Sequence, residues 1–204
     1  MKNISTYFIL FFAVSFFSLN AQDQYVTRTA HISVKSQNSV KNVEADNYQM
    51  RGQIDPMTGK VKFVGLLKSF EFKLGALDQA FNHDKVSLTQ YPRITYEGKI
   101  TNLDQISFIR PGTYNVNIKG TLFIWDEKRV TSAKGKLIVN TDGTIRAESV
   151  FDIVIEEKNV VKLNALIEEK LPSVVSLDVN SFGVSREINI NLEGNFKKKF
   201  IFSN

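Results

Sequence analysis

Six stretches of this chain alternate apolar and polar residues with a period of two, and that pattern limits the fold more than any other feature. Ala30, Ile32 and Val34 share one side of a strand, with His31, Ser33 and Lys35 on the other. Val61, Phe63, Gly65 and Leu67 repeat the pattern. Val116, Ile118, Gly120, Leu122 and Ile124 give the longest case, opposed by Asn115, Asn117, Lys119 and Thr121. Residues 133–139, 147–155 and 188–192 obey the same rule. A period of two sends successive side chains to opposite faces of a sheet. One face is then buried and the other wet, as in antiparallel sheet.

The connections agree with this reading. Asp142-Gly143 between two alternating runs is a hairpin signal, and Arg110-Pro111-Gly112 marks another turn. Strands joined by short turns favour a barrel or sandwich over alternating strands and helices. Two segments break the alternation. Leu74, Leu77 and Phe81 fall at helical spacing within residues 74–85. Val160, Leu163, Ile167 and Leu171 do so within residues 159–171, and Pro172 supplies a stop. Each reads as a helix capping one end of a barrel, or as a lid over an entrance. The expected fold is all-β: an antiparallel barrel of about eight strands with one or two short capping helices. A barrel of that size has room for its own side chains or for one small ligand.

The first residues carry a separate signal. Met1-Lys2-Asn3 precede an apolar run over residues 4–19, and Asn20-Ala21 precede a polar stretch. This describes a secretory signal peptide over residues 1–21, cleaved after Ala21. The apolar run is shorter than the roughly 20 residues that span a bilayer. No Cys follows it, which excludes a lipoprotein anchor. Residues 22–204 then form one domain with a sizeable core, located in the periplasm or secreted. With no Cys in the chain, thiol chemistry and thiolate metal sites are excluded. The net charge of +5 is scattered, except at Lys197-Lys198-Lys199 between Phe196 and Phe200. That cluster reads as a solvated final strand or as a transient contact with an anionic membrane surface. No basic stripe points to nucleic acid as a partner, and a homodimer stays open.

Residues 52–100 hold the most distinctive motifs. A turn at Asp55-Pro56-Met57-Thr58-Gly59 follows Gly52-Gln53-Ile54. Then come Ser69-Phe70-Glu71-Phe72, Phe81-Asn82, Tyr91-Pro92 and Tyr96-Glu97-Gly98. Further on, residues 114–122 read Y-x-V-x-I-x-G-x-L. This order resembles the YceI-like family, over about residues 32–192. The resemblance implies a lipocalin-like barrel, export to the periplasm and, as in some members, a long polyisoprenoid chain in the lumen. His31 roughly matches an early His of some members. Trp125-Asp126 replaces the family's frequent "H-G", and Phe81-Asn82-His83 replaces "F-N-E". The helix at 159–171 is longer than the family's usual connection there.

Catalytic chemistry finds little support. The two His, His31 and His83, show no metal-ligand spacing. Glu156-Glu157 and Glu168-Glu169 sit beside Lys in charged, solvated segments, and Asp55 reads as turn chemistry. A non-enzymatic protein without a cofactor is expected, and an apolar lipid-like molecule is its expected partner. Candidate lumen or mouth residues are Phe63, Phe70, Phe72, Phe81, Tyr96, Val116, Ile118, Leu122, Phe151 and Ile153. Tyr96 is the polar candidate, since its hydroxyl can meet a headgroup at an apolar wall. The competing reading is an envelope stress or interaction protein whose barrel is filled by its own side chains. A continuous apolar cavity above roughly 300 Å³ separates the first reading from the second.

Overall fold

The computed structural model describes residues 21–36, 43–73, 75, 78, 92–170 and 184–202. Residues 1–20 of the expected signal peptide, Phe81, His83 and Pro172 lie outside them, as does most of the helix expected over residues 74–85. The described strands are β1 (Ala21–Ser36), β2 (Val43–Ile54), β3 (Lys60–Leu66), β4 (Glu71–Phe72), β5 (Arg93–Ile100), β6 (Gly112–Ile124), β7 (Glu127–Val139), β8 (Ile145–Val154) and β9 (Glu187–Phe202). One described helix, α1 (Glu157–Lys170), joins β8 towards β9 and matches the second expected helix to within two residues.

Every pairing is antiparallel, and the order β1-β9-β8-β7-β6-β5-β3-β2 closes because β2 returns to β1. Eight strands thus form the barrel, and β4 adds a short extra pairing at Ala45 and Asp46 of β2. Closure removes the exposed edges that would otherwise template aggregation. The alternation read from the sequence is the inside–outside alternation of this wall. Ala30, Ile32, Val61, Phe63, Val116, Leu122, Ala133, Leu137, Ile153 and Ile190 are buried.

Large side chains fill the middle. Phe196, Met50, Ile54, Ile145 and Ile190 are almost completely buried, and Phe63 meets Phe196 edge-on at 6.0 Å. This density requires the wall to thin in places. A Cβ on Gly65 would lie 2.0 Å from the Met50 sulfur. A Cβ on Gly120 would lie 2.6 Å from the Tyr96 hydroxyl. Both glycines therefore mark close approach of a core side chain.

Two turns show how local chemistry sets the strand ends. Asp55 Oδ1 accepts the backbone N–H of Met57 and Thr58 at 2.9 and 3.1 Å, and Gly59 takes φ of 70°. Asp55 is thus a turn residue, as its sequence context indicates. The Asp142-Gly143 hairpin is longer than the two-residue loop its sequence favours. The Asn140 N–H donates to the Thr144 carbonyl at 2.9 Å, and Gly143 supplies the positive φ of 79° after a tight turn.

Candidate functional site

Three apolar cavities lie in the interior among the described residues. The largest, about 100 Å³, sits at the end of the barrel near the start of α1. Its wall is Val34, Val43, Leu67, Phe70, Phe72, Ile94, Ile124, Trp125, Ile153, Ile155, Val184, Ile188 and Ile190, with Ser36 the one polar residue. A second cavity of about 30 Å³ shares Ile94 and Ile190 with it. A third, also about 30 Å³, shares Phe63, Ile118, Ser149 and Leu192 with the second. Shared walls mean that the three follow one another along the lumen.

The nine described candidate residues all fall on this path. Phe70, Phe72 and Ile153 line the end chamber. Tyr96, Leu122 and Phe151 line the middle cavity, and Val116 lines the third. Phe63 and Ile118 stand between the middle and third cavities. The nine are therefore not gathered in one pocket. Six are spread over the nearly filled middle and far end, and three surround the largest interior space among the described residues.

Trp125 is the wall residue with an unusual backbone conformation. It occupies the first position of the two-residue turn between Ile124 and Glu127, which pair directly. Its φ is 53°, a value that favours glycine at this position of a hairpin turn. A bulky residue there is strained by about 1–2 kcal/mol. The surrounding structure holds it. Glu127 is buried, and its carboxylate accepts the Glu156 backbone N–H at 3.2 Å and a hydrogen bond from the Asn159 side chain. Arg129 Nη2 lies 2.7 Å from the same carboxylate and 3.0 Å from Glu156. Asp126 pairs with Lys158 at 3.1 Å, and that ammonium is the main reason its pKa falls below the usual carboxylate value. The turn that carries Trp125 is thereby clamped to the first turn of α1.

Polar groups inside the lumen are few. The hydroxyls of Tyr96 and Thr131 are buried and have no hydrogen-bond partner among the described residues. Burial raises the Tyr96 pKa above that of a free phenol, and the nearby Thr131 hydroxyl offsets part of the rise. Unsatisfied buried hydroxyls are costly, so each is poised to accept a partner.

The outer surface shows no catalytic arrangement among the described residues. His31 faces outward as expected. Its Nε2 lies 2.8 Å from Asp46 and its Nδ1 3.3 Å from Glu193, while its ring stacks on Tyr48 at 4.3 Å. No group of described His, Asp or Glu residues is arranged to hold a metal ion.

No protein-family model matches the sequence, and no curated protein matches it. Solved structures do. The chain is similar to a polyisoprenoid-binding domain from Saccharophagus degradans implicated in plant cell wall breakdown, at 11% identity and a TM-score of 0.63. That alignment covers 86% of this chain and 98% of the other. BcnA of Burkholderia cenocepacia aligns at 16% identity and a TM-score of 0.55, over 82% of this chain and 96% of its own. A YCEI protein of Campylobacter jejuni aligns more loosely, at 14% identity and a TM-score of 0.47, over 80% of this chain and 88% of its own. The chain thus adopts the barrel fold of the polyisoprenoid-binding domain and BcnA, the fold that its YceI-like motifs imply.

Proposed function

We propose that this protein is an exported, non-enzymatic YceI-like barrel that holds an apolar, isoprenoid or other lipid-like chain in its lumen. The observation that carries this reading is the end chamber, whose wall has one polar residue, Ser36, among its fourteen described residues. Such a wall selects for hydrophobicity and length, and offers little to a polar substrate. The polyisoprenoid binding of the Saccharophagus degradans domain, which shares the fold, supports the same choice. Tyr96 and Thr131 give the lumen two hydroxyls to meet a single polar group on such a chain.

One observation favours a second reading, a packed barrel that acts through its surface. The largest interior space among the described residues is about 100 Å³, well below the roughly 300 Å³ of a typical ligand pocket. The chamber as it stands takes the end of a chain. A longer ligand requires the three cavities to merge, with Ile94 and Ile190 giving way between the end and middle cavities and Phe63 turning aside between the middle and third.

Purification from the native host followed by organic extraction and mass spectrometry tests the proposal. A lipid in stoichiometric amount, present in the native protein and absent after unfolding and refolding, is the expected result. Repeated recovery of lipid-free protein favours the packed barrel. Export is tested separately by cell fractionation and N-terminal sequencing: the mature chain is expected to start at Gln22. A mature protein that retains residues 1–21 would contradict this.

A further inference from the structure

The outer wall carries a feature that the lumen does not use. Two connected depressions, of about 730 and 550 Å³, cross the strands β9, β1, β2, β3, β5 and β6 and share Gln53 and Lys62. The first is lined by Arg28, Arg51, Lys62, Arg93 and Lys199 and by no acidic residue. The second adds Lys60, Lys99 and Lys119, with Asp55 and Glu97 as its acids. Lys62 pairs with Glu97 at 2.6 Å. The other seven cations form no ion pair among the described residues.

Two details of the strand pairing concentrate this charge. Lys60, Lys99 and Lys119 lie directly opposite one another on three adjacent strands. Like charges in direct register destabilise a sheet, and strands stand only about 4.8 Å apart. Arg28 lies where the pairing of β1 with both neighbours breaks, between Val26 and His31 towards β9 and between Thr27 and Ala30 towards β2. The bulge brings its guanidinium to the first depression.

We propose that this cationic face docks the barrel on an anionic membrane surface, with lipid phosphates entering the depressions. Charge complementarity points to a phosphate-bearing surface. The spread over six strands suits an extended bilayer better than one small anion. Exposed Leu66 stands among the cations and pairs with Arg93. Its chain neighbour Leu67, and Ile94 beside Arg93, line the apolar end chamber on the other side of the wall. Docking therefore holds that chamber close to the bilayer. Transfer of a ligand from the membrane rests on the lumen reading above, whereas docking itself does not.

The test uses the whole exported protein and its co-sedimentation with phosphatidylcholine vesicles, with and without phosphatidylglycerol. Binding to the anionic vesicles alone, weakened by salt, is expected. The combined variant Arg28→Gln, Arg51→Gln, Arg93→Gln should bind about 100-fold more weakly, at about fivefold per charge removed. Lys60→Gln, Lys99→Gln, Lys119→Gln should do the same while unfolding at a higher denaturant concentration, since its like-charge row is gone. Equal binding to neutral vesicles, or unchanged binding by both variants, overturns the proposal. So does binding to soluble dextran sulfate without binding to vesicles, which would make the partner a soluble polyanion. Lipid content is measured by mass spectrometry on the same preparation. Vesicle binding by lipid-free protein would then count against the lumen reading alone, and a lipid-filled lumen without vesicle binding against docking alone.

Discussion

The β6–β7 hairpin and the β1–β2 pair are built from strands of similar length, yet they behave differently. β6 and β7 pair without interruption from Gly112 opposite Val139 to Ile124 opposite Glu127. β1 and β2 shift register twice, between Thr27 and Ala30 and again between Ala30 and Ile32. In the regular hairpin each residue's face follows from its neighbour's. In the bulged pair, adjacent exposed residues, Arg28-Thr29 on β1 and Tyr48-Gln49 on β2, interrupt the count. The regular side makes a wall, and the bulged side makes an outer depression and a place for charge. Irregular pairing thus adds Arg28 to the cationic face, whose row of Lys60, Lys99 and Lys119 rests on regularly paired strands.

The largest expected effect lies on the regular side. Val116→Asp puts a charge at a buried position of β6 and should cost more than about 4 kcal/mol, enough to unfold most domains. Ile118→Asp belongs to the same test. Urea denaturation that shows normal stability for either variant would mean that the assigned faces are inverted. Next comes Glu127→Ala, which removes the acceptor shared by Asn159, Arg129 and the Glu156 N–H. A loss of about 2–3 kcal/mol is expected. A loss below 0.5 kcal/mol would show that the clamp on the Trp125 turn has no energetic role.

Gly65→Ala probes the irregular side. The new methyl meets the Met50 sulfur and should cost about 1–3 kcal/mol through overpacking. Met50→Ala in the same chain should recover part of that loss, and strict additivity of the two in a double-mutant cycle would contradict the close approach. The smallest change belongs to Tyr96→Phe. Removing a buried hydroxyl that has no partner among the described residues should raise stability near neutral pH slightly, by less than about 1 kcal/mol. The alkaline limb should move more. Because the folded-state pKa of Tyr96 is raised by burial, the native protein loses stability as pH rises above the free phenol value, about 10. Tyr96→Phe should shrink that loss. Tyr25, whose pKa is also raised by burial, leaves a remainder. An unchanged alkaline profile would show that Tyr96 ionises freely in the folded state.

The difference between the two regions also explains what the sequence could reveal. Alternation at Val116, Ile118 and Leu122 exposed the barrel because nothing interrupts it. The same count fails across Arg28-Thr29, so the cationic depression could not be read from spacing: its members come from six strands and meet only through register. Within the lumen, the apolar character of Phe63, Phe70 and Ile153 was legible. Their division among three cavities was not, since it depends on how far Met50 and Phe196 reach across the barrel. Trp125 was visible as a departure from the family motif, but its place in the chamber wall depends on a backbone conformation that its residue type disfavours.

Trp125 also offers the most direct measurement of the central claim, because it is the only Trp in the chain and it lines the end chamber. Its fluorescence can be followed while a prenyl alcohol is added to the delipidated protein. The account predicts a saturable change in emission, abolished by Ile153→Phe, which fills the chamber without adding a second Trp. Emission that stays constant through the titration, in protein shown to be free of lipid, would contradict an apolar ligand in this barrel.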